Sequence, residues 1–229
     1  MKKLLLLLVG SLSLSILFAQ DETALINAVK AKMDKVKDYK ATGQMIVDVS
    51  FINAPKSAVQ VYYKNPNQFK VVKDGGISIL PKGGVSVNVS SLLFGSNFAT
   101  VPAGTAAVKG VTTKVVKLLP LDETGDVVLT TLYIDEKALL IRKATVTTRE
   151  SGSYEIHMDY GKWAAWGLPD KLSFLFHTKD YKLPKGVTFE YENGRAKKAE
   201  ALKNEKGSVT IVYSNYIINK GVDERLFKN

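Results

Sequence analysis

The sequence predicts a mainly β domain of the α+β class, in which one amphipathic helix packs on a largely antiparallel sheet. Apolar residues recur at helical spacing in the segment that follows residue 21. After Tyr39 the apolar period changes to two, which is typical of half-buried strands. Short turns rich in Gly, Pro, Asn and Asp then separate many such segments, and this pattern favours hairpins.

The first twenty residues have the pattern of a secretory signal peptide. Lys2 and Lys3 precede an apolar run over Leu4–Val9, and small or polar residues follow at Ala19 and Gln20. The run is shorter than the about 20 apolar residues that a membrane span needs. We therefore expect cleavage near residue 20 and a mature protein in the periplasm, where nucleotides and nucleic acids are scarce.

The mature chain is expected to be a single domain over residues 21–229, because about 209 residues are enough for one sizeable core. The sequence contains no cysteine, which excludes disulfides, a thiol nucleophile, a thiolate metal site and a cysteine-linked lipid anchor. Without Lys2 and Lys3 the chain carries 30 basic and 22 acidic residues, a net charge of +8. This surplus favours anionic partners such as phospholipid head groups, and it also fits an ordinary solvated surface.

The predicted helix covers Glu22–Asp38. Leu25, Val29, Met33 and Val36 follow one another at spacings of four, four and three, so they share one face of the helix. The acidic residues at its start suit the positive end of the helix dipole.

The strands that follow are predicted from alternation and from the turns between them. In the first strand, Met45, Val47, Val49 and Phe51 point to one side of the sheet. The complete set of predicted strands is Met45–Phe51, Ala58–Lys64, Phe69–Val72, Ile77–Leu80, Thr113–Leu119, Val127–Ile134, Ala138–Thr148, Tyr154–Tyr160, Lys171–His177, Val187–Tyr191 and Val209–Ile218.

One segment, Val85–Ala99, breaks the alternation. Four large apolar residues fall within seven positions, and a loose stretch over Thr100–Gly104 follows. The four are Leu92, Leu93, Phe94 and Phe98. Two interpretations stay open: an ordinary core element, or a lid that inserts into a hydrophobic cavity because exposed apolar loops are costly.

Catalytic motifs are scarce, so we expect no enzyme, no metal site and no cofactor. The two histidines, His157 and His177, lie apart at strand positions, whereas metal sites need clustered ligands. Asp159 shares the strand face of His157, but no nucleophile motif accompanies the pair. A cell-envelope enzyme that uses His157 and Asp159 is the weaker alternative.

The order of elements resembles the LolA family of periplasmic lipoprotein carriers and related lipoprotein-sorting proteins. The segments that carry the resemblance are Val61–Phe69 with its Lys64-Asn65-Pro66 sequence, the turn Asp74-Gly75-Gly76, Tyr133–Asp135, Tyr154–Tyr160 and Leu168–Leu172. The resemblance implies an open half-barrel of long antiparallel strands, with the helix and the lid segment over an apolar concave face that receives acyl chains.

The chain departs from this family in two places. The family's carriers often have Arg directly before the proline, where this chain has Asn65; Lys64 is a strand neighbour and points to the opposite face. The chain also continues past the family's expected end, as a C-terminal extension from about Glu192.

The resemblance implies a non-enzymatic periplasmic carrier that binds acyl chains of lipoproteins or lipids for transfer towards the outer membrane. The alternative is a sensing module of the same fold that controls a membrane partner. We expect a monomer that binds an acyl chain of a lipoprotein or phospholipid, with an inner- or outer-membrane protein as a further partner and no nucleic acid. The predicted ligand-binding residues, which would equally fit a plain core, are Met45, Val47, Val49, Phe51, Val59, Val61, Tyr63, Phe69, Val71, Leu92, Leu93, Phe94 and Phe98.

Overall fold

The fold is a single curved layer of antiparallel strands with one helix on its inner face. The computed structural model describes residues 22–48, 56–73, 93, 97–122, 125–149, 152–177 and 206–227. The predicted signal peptide lies outside these residues, as do the strands predicted at Ile77–Leu80 and Val187–Tyr191.

Ten strands form the sheet. They are β1 (Asp38–Asp48), β2 (Ser57–Lys64), β3 (Gln68–Lys73), β4 (Phe98–Val108), β5 (Val111–Pro120), β6 (Val127–Asp135), β7 (Leu140–Thr148), β8 (Ser153–Asp159), β9 (Lys171–His177) and β10 (Lys206–Ile218). Their order is β3-β2-β1-β10-β9-β8-β7-β6-β5-β4, and every neighbouring pair is antiparallel. Since β3 and β4 stand at opposite ends of this order, the sheet is open, which confirms the predicted half-barrel.

The described part of the helix α1 covers residues 22–33, and the helix ends five residues before the predicted end at Asp38. The chain turns at residues 34–35 and enters β1 at Asp38, which pairs with Lys64 of β2. Val36 follows the helical spacing and is buried, but strand pairing takes over the backbone directly after it. No helix within the described ranges is long and apolar enough to cross a membrane.

The core lies on the side of the sheet that carries α1, and we call this side the inner face. Because side chains alternate along a strand, every second residue points inward. In β1, for example, Tyr39, Ala41, Met45 and Val47 are all buried. The apolar face of α1 packs against the same cluster through Leu25, Ile26, Val29, Met33 and Val36.

The stretch predicted as loose, Thr100–Gly104, is part of strand β4, so that prediction is wrong. β4 pairs with β5 and contains a register shift between Pro102 and Thr105. Proline lacks a backbone N–H and is tolerated at sheet edges and bulges, so it does not stop this strand, which is last in the sheet order. Phe98 therefore belongs to β4 and not to a connecting segment.

The C-terminal region supplies a central strand. β10 lies between β1 and β9, and it pairs with both along most of its length. The predicted strand Val209–Ile218 is therefore confirmed, and this part of the expected extension is integral to the sheet. Residues 192–205 lie outside the described ranges.

Candidate functional site

Nine of the predicted ligand-binding residues lie in or against one apolar cluster on the inner face. The buried ones are Met45, Val47, Val59, Val61, Tyr63 and Leu93, and the partly buried ones are Phe69, Val71 and Phe98. The other four predicted residues, Val49, Phe51, Leu92 and Phe94, lie outside the described residues. Strands β1 to β4 thus bring the described set together, and Leu93 reaches the cluster from the segment between β3 and β4.

The cluster continues over strands that the residue-level predictions did not include. Its further members from β5 to β10 include Val116, Leu118, Leu132, Ile134, Ala144, Val146, Tyr154, Ile156, Met158, Leu172, Phe174, Phe176, Val209 and Ile211. The alternation of these strands was visible in the sequence. The strand pairing that brings these residues to one face was not visible in the sequence, because it depends on the insertion of β10 between β1 and β9. We call the inward-facing apolar residues of the whole sheet the apolar wall.

Aromatic side chains form one part of the apolar wall. The rings of Tyr39 and Tyr63 stack at 5.2 Å, and Tyr216 meets Tyr39 edge-on at the same distance. Trp163 packs on Tyr216 at 4.9 Å, and the Tyr216 hydroxyl donates a hydrogen bond to the Pro169 carbonyl oxygen at 2.9 Å. Burial raises the pKa of both Tyr39 and Tyr216 well above the usual value, so their hydroxyls stay neutral.

The inner face also carries a charged group, Lys114 of β5. Lys114 alternates with Val116 and Leu118, which are wall residues, so it points the same way. Its ammonium nitrogen lies 3.3 Å from the carboxylate of Glu22 on α1 and 3.7 Å from that of Glu136. The contact with Glu22 joins the first described residue of α1 to β5.

Asn65, in the turn between β2 and β3, contacts the chain directly after α1. The Asn65 side-chain amide donates to the Asp34 carboxylate at 3.1 Å, and the Asn65 backbone N–H donates to the Lys37 carbonyl at 2.8 Å. Lys64 points away and pairs with Glu224. Asn65 therefore joins the β2–β3 turn to the connection that follows α1.

His157 lies on the outer face, on the opposite side of the sheet from the apolar wall. Its Nε2 atom is 2.8 Å from the Glu155 carboxylate, which also accepts a hydrogen bond from Lys143 at 2.6 Å. Burial alone would raise the pKa of Glu155, but these two partners lower it below the ordinary value. Asp159 contacts Lys109 instead of His157.

Within the ranges that the structure describes, no group of three or more His, Asp or Glu side chains is arranged to hold a metal ion. The side chain of His177 lies outside the described part of the chain.

A groove of about 510 Å³ lies on the outer face, where the register between β1 and β10 shifts and Ser214 of β10 is the extra residue. It is lined by Thr42, Gly43, Gln44, Ala58, Val59, Gln60, Val212, Tyr213 and Ser214. Most of its side chains are polar or small, and Val59 and Tyr213 of the core cluster also line it.

No protein-family model and no curated protein matches the sequence. Solved structures do match in fold. An outer membrane lipoprotein-sorting protein domain from Vibrio parahaemolyticus has a TM-score of 0.60 at 11% identity, covering 92% of this chain and 97% of that one.

Two further solved structures match over similar lengths. A DUF1329 family protein from Desulfovibrio piger has a TM-score of 0.52 at 10% identity, with 91% and 97% of the two chains covered. A LolA superfamily protein from Nitrosomonas europaea has a TM-score of 0.50 at 9% identity, with 89% and 97% covered. The chain therefore has the LolA-like fold, an open half-barrel shared with lipoprotein-sorting domains.

Proposed function

We propose that this protein is a non-enzymatic periplasmic carrier that binds acyl chains of lipoproteins or lipids against the apolar wall for transfer towards the outer membrane. The observation that supports it most is the wall itself. All ten strands contribute inward-facing apolar residues in or against one continuous cluster, in an open sheet that can curve around a ligand. The fold match to a lipoprotein-sorting domain is consistent with this role.

Such a role needs no catalytic group. Each buried CH₂ contributes about 0.8 kcal/mol on transfer from water, so a long acyl chain is held by apolar contact alone. Phenylalanine and methionine side chains repack around different chains more easily than β-branched ones, and the wall offers Phe174, Phe176, Met45 and Met158. A carrier must also release its ligand, and apolar contact permits this because it does not depend on one fixed geometry.

The first experiment is native mass spectrometry of the mature protein purified from its own periplasm, followed by release and identification of any bound mass. The proposal expects an acyl lipid or an acylated peptide. Protein that arrives empty and also fails to bind a fluorescent fatty acid would refute the proposal. Recovery of one stoichiometric membrane protein instead would favour the sensing module.

A matched pair of variants tests whether the wall is the site. Val71 and Val72 are neighbours on β3, but Val71 packs against the core cluster from the inner face, whereas Val72 is 38% exposed. We expect Val71→Gln to weaken binding of a fluorescent fatty acid several-fold and Val72→Gln to leave it unchanged, because only the first places a polar group on the apolar wall. Equal effects of the two substitutions would count against the inner face as the binding site.

A further inference from the structure

Lys114 is a charged side chain within an apolar wall, and its surroundings are unusual for a surface lysine. Its side chain is 16% exposed, and that of its partner Glu22 is 5% exposed. Wall residues Val116 and Leu118 follow it on the same face of β5. A lysine that serves only solubility would lie on the outer face, as Lys117 of the same strand does.

The charged pair is imperfectly matched. The Glu22 oxygen nearest to Lys114 lies at 3.3 Å, within ion-pair range, but the contact does not have hydrogen-bond geometry, and this oxygen has no hydrogen-bond partner among the residues that the structure describes. Removing both charged groups from water costs free energy, and a buried ion pair often stabilises a fold no more than apolar residues of the same size do. Fold stability alone therefore gives a poor reason for this pair.

We propose that the Lys114 ammonium binds the anionic head group of the acyl ligand, and that the Glu22 carboxylate occupies the same ammonium when no ligand is bound. This inference rests on the proposed acyl-binding function and narrows it to ligands whose head group carries a carboxylate or a phosphate. The acyl chain lies along the wall beyond Val116 and Leu118, and the head group stays at Lys114.

The exchange preserves charge. A ligand carboxylate replaces the Glu22 carboxylate at the Lys114 ammonium, which also lies 3.7 Å from Glu136, so the ammonium stays paired. The displaced Glu22 carboxylate turns out to solvent, so it is not left as a buried unpaired charge. Glu22 is the first residue of α1 that the structure describes. The neighbouring Thr23 hydroxyl makes an exposed contact with the Thr100 hydroxyl of β4 at 3.0 Å. Ligand binding therefore requires the Glu22 side chain to move away from Lys114.

The test measures displacement of a fluorescent acyl probe from delipidated mature protein by palmitic acid, by 1-palmitoyl lysophosphatidic acid and by hexadecanol. The acid and the alcohol have equal chain lengths and differ in head-group charge. We expect the acid to bind roughly ten- to a hundredfold tighter than the alcohol, because an ionised group adds a charge-assisted hydrogen bond. Lys114→Met should remove this difference, and Lys114→Arg should retain it.

Two further variants complete the design. Lys117→Met removes a lysine from the outer face of the same strand and should leave the acid-to-alcohol difference intact. Glu22→Gln should strengthen acid binding several-fold, since the competing carboxylate loses its charge. It also provides an independent test if Lys114→Met does not fold.

The outcomes separate the two proposals. Equal binding of acid and alcohol by the unmodified protein would overturn the head-group inference while leaving acyl binding in place. Loss of the difference in Lys117→Met as well as in Lys114→Met would overturn it in favour of general surface charge. Absence of binding by every probe would refute the acyl-carrier function itself. Tighter binding of the phosphate ligand than of the fatty acid would identify a phospholipid as the source of the anion, and the reverse would identify a fatty acid.

Discussion

Gly43 allows β1 and β10 to pair closely at the bulge, and its replacement by alanine is a sharp test of the sheet order. The residue lies on β1, where the register with β10 shifts between Thr42 and Gly43. A Cβ atom at this position would stand 2.4 Å from the Val212 carbonyl oxygen and 3.2 Å from the Tyr213 Cα atom. Both are backbone atoms of a central strand, so neither can rotate away.

The magnitude follows from that geometry. An ordinary contact of this kind begins near 3.4 Å, so the two strands must separate by a large part of an ångström. Overpacking of this sort lowers the free energy of unfolding by about 1–3 kcal/mol. The lower conformational entropy of the unfolded alanine variant offsets about 0.4–1 kcal/mol of this loss. We expect Gly43→Ala to lower the free energy of unfolding by about 1–2 kcal/mol, and the melting temperature by a few degrees at about 2–4 °C per kcal/mol.

The assay is urea denaturation. The slope of the unfolding free energy against urea concentration serves as an internal check, because an unchanged slope indicates that unfolding exposes the same amount of surface. Gly125→Ala is the control, since the nearest atom to its added Cβ would be 4.0 Å away. We expect the control to stay within about 0.5 kcal/mol of the parent. A Gly43→Ala protein as stable as the control would refute the close pairing of β1 with β10.

Three further predictions follow from single contacts. Ile211→Ala should lower the free energy of unfolding by about 2–5 kcal/mol, and Val212→Ala by less than about 1 kcal/mol, because Ile211 is fully buried and Val212 is 40% exposed. Chemical denaturation of both variants checks this. Similar losses in the two variants would mean that Ile211 and Val212 are wrongly assigned to the inner and outer faces of β10. Burial alone would raise the pKa of Asp135, but hydrogen bonds from Arg142 and the backbone hold it below its ordinary value. This stabilisation is present above about pH 4, the pKa range of an unfolded Asp, and is lost as pH falls through the lower folded pKa. Asp135→Asn should therefore flatten the acid limb of a stability–pH curve, and an unchanged acid limb would contradict the pairing. The Asn219 side chain accepts a hydrogen bond from the Lys37 backbone N–H at 2.7 Å and donates one to the Lys35 carbonyl oxygen at 2.8 Å, both in the connection between α1 and β1. Asn219→Ala should therefore increase amide hydrogen exchange in this connection and at the adjoining end of α1, and unaltered exchange would show that packing alone holds them.

Much of the secondary structure was predictable because it depends on local periodicity. The strands at Ala58–Lys64, Lys171–His177 and Val209–Ile218 were found from alternation and turns within a few residues of their observed bounds. β1 begins at Asp38, seven residues before the predicted start at Met45. Two other failures have local causes. The helix was extended past residue 33 because Val36 keeps the helical spacing, and β4 was missed because Pro102 and Gly104 resemble a loop.

The candidate site was only partly predictable from sequence. Residues such as Met45 and Val61 were found because they alternate in segments that resemble a known family. Lys114 and Glu22 were not, since they are 92 positions apart and no local pattern relates them. The contact of Asn65 with the end of α1 could likewise not be predicted from the sequence, because it depends on a hydrogen bond to Asp34, 31 positions away.

By itself the sequence determined the fold class, the positions of most strands and the absence of cysteine chemistry, because these depend on composition and on periods of two and 3.6 residues. The tertiary structure alone decided that the C-terminal segment lies at the centre of the sheet as β10, that all ten strands contribute to one apolar wall, and that Lys114 points into it. Such properties arise from pairing between distant segments, where hydrogen-bond register and shared burial, not local preference, set which side chains meet.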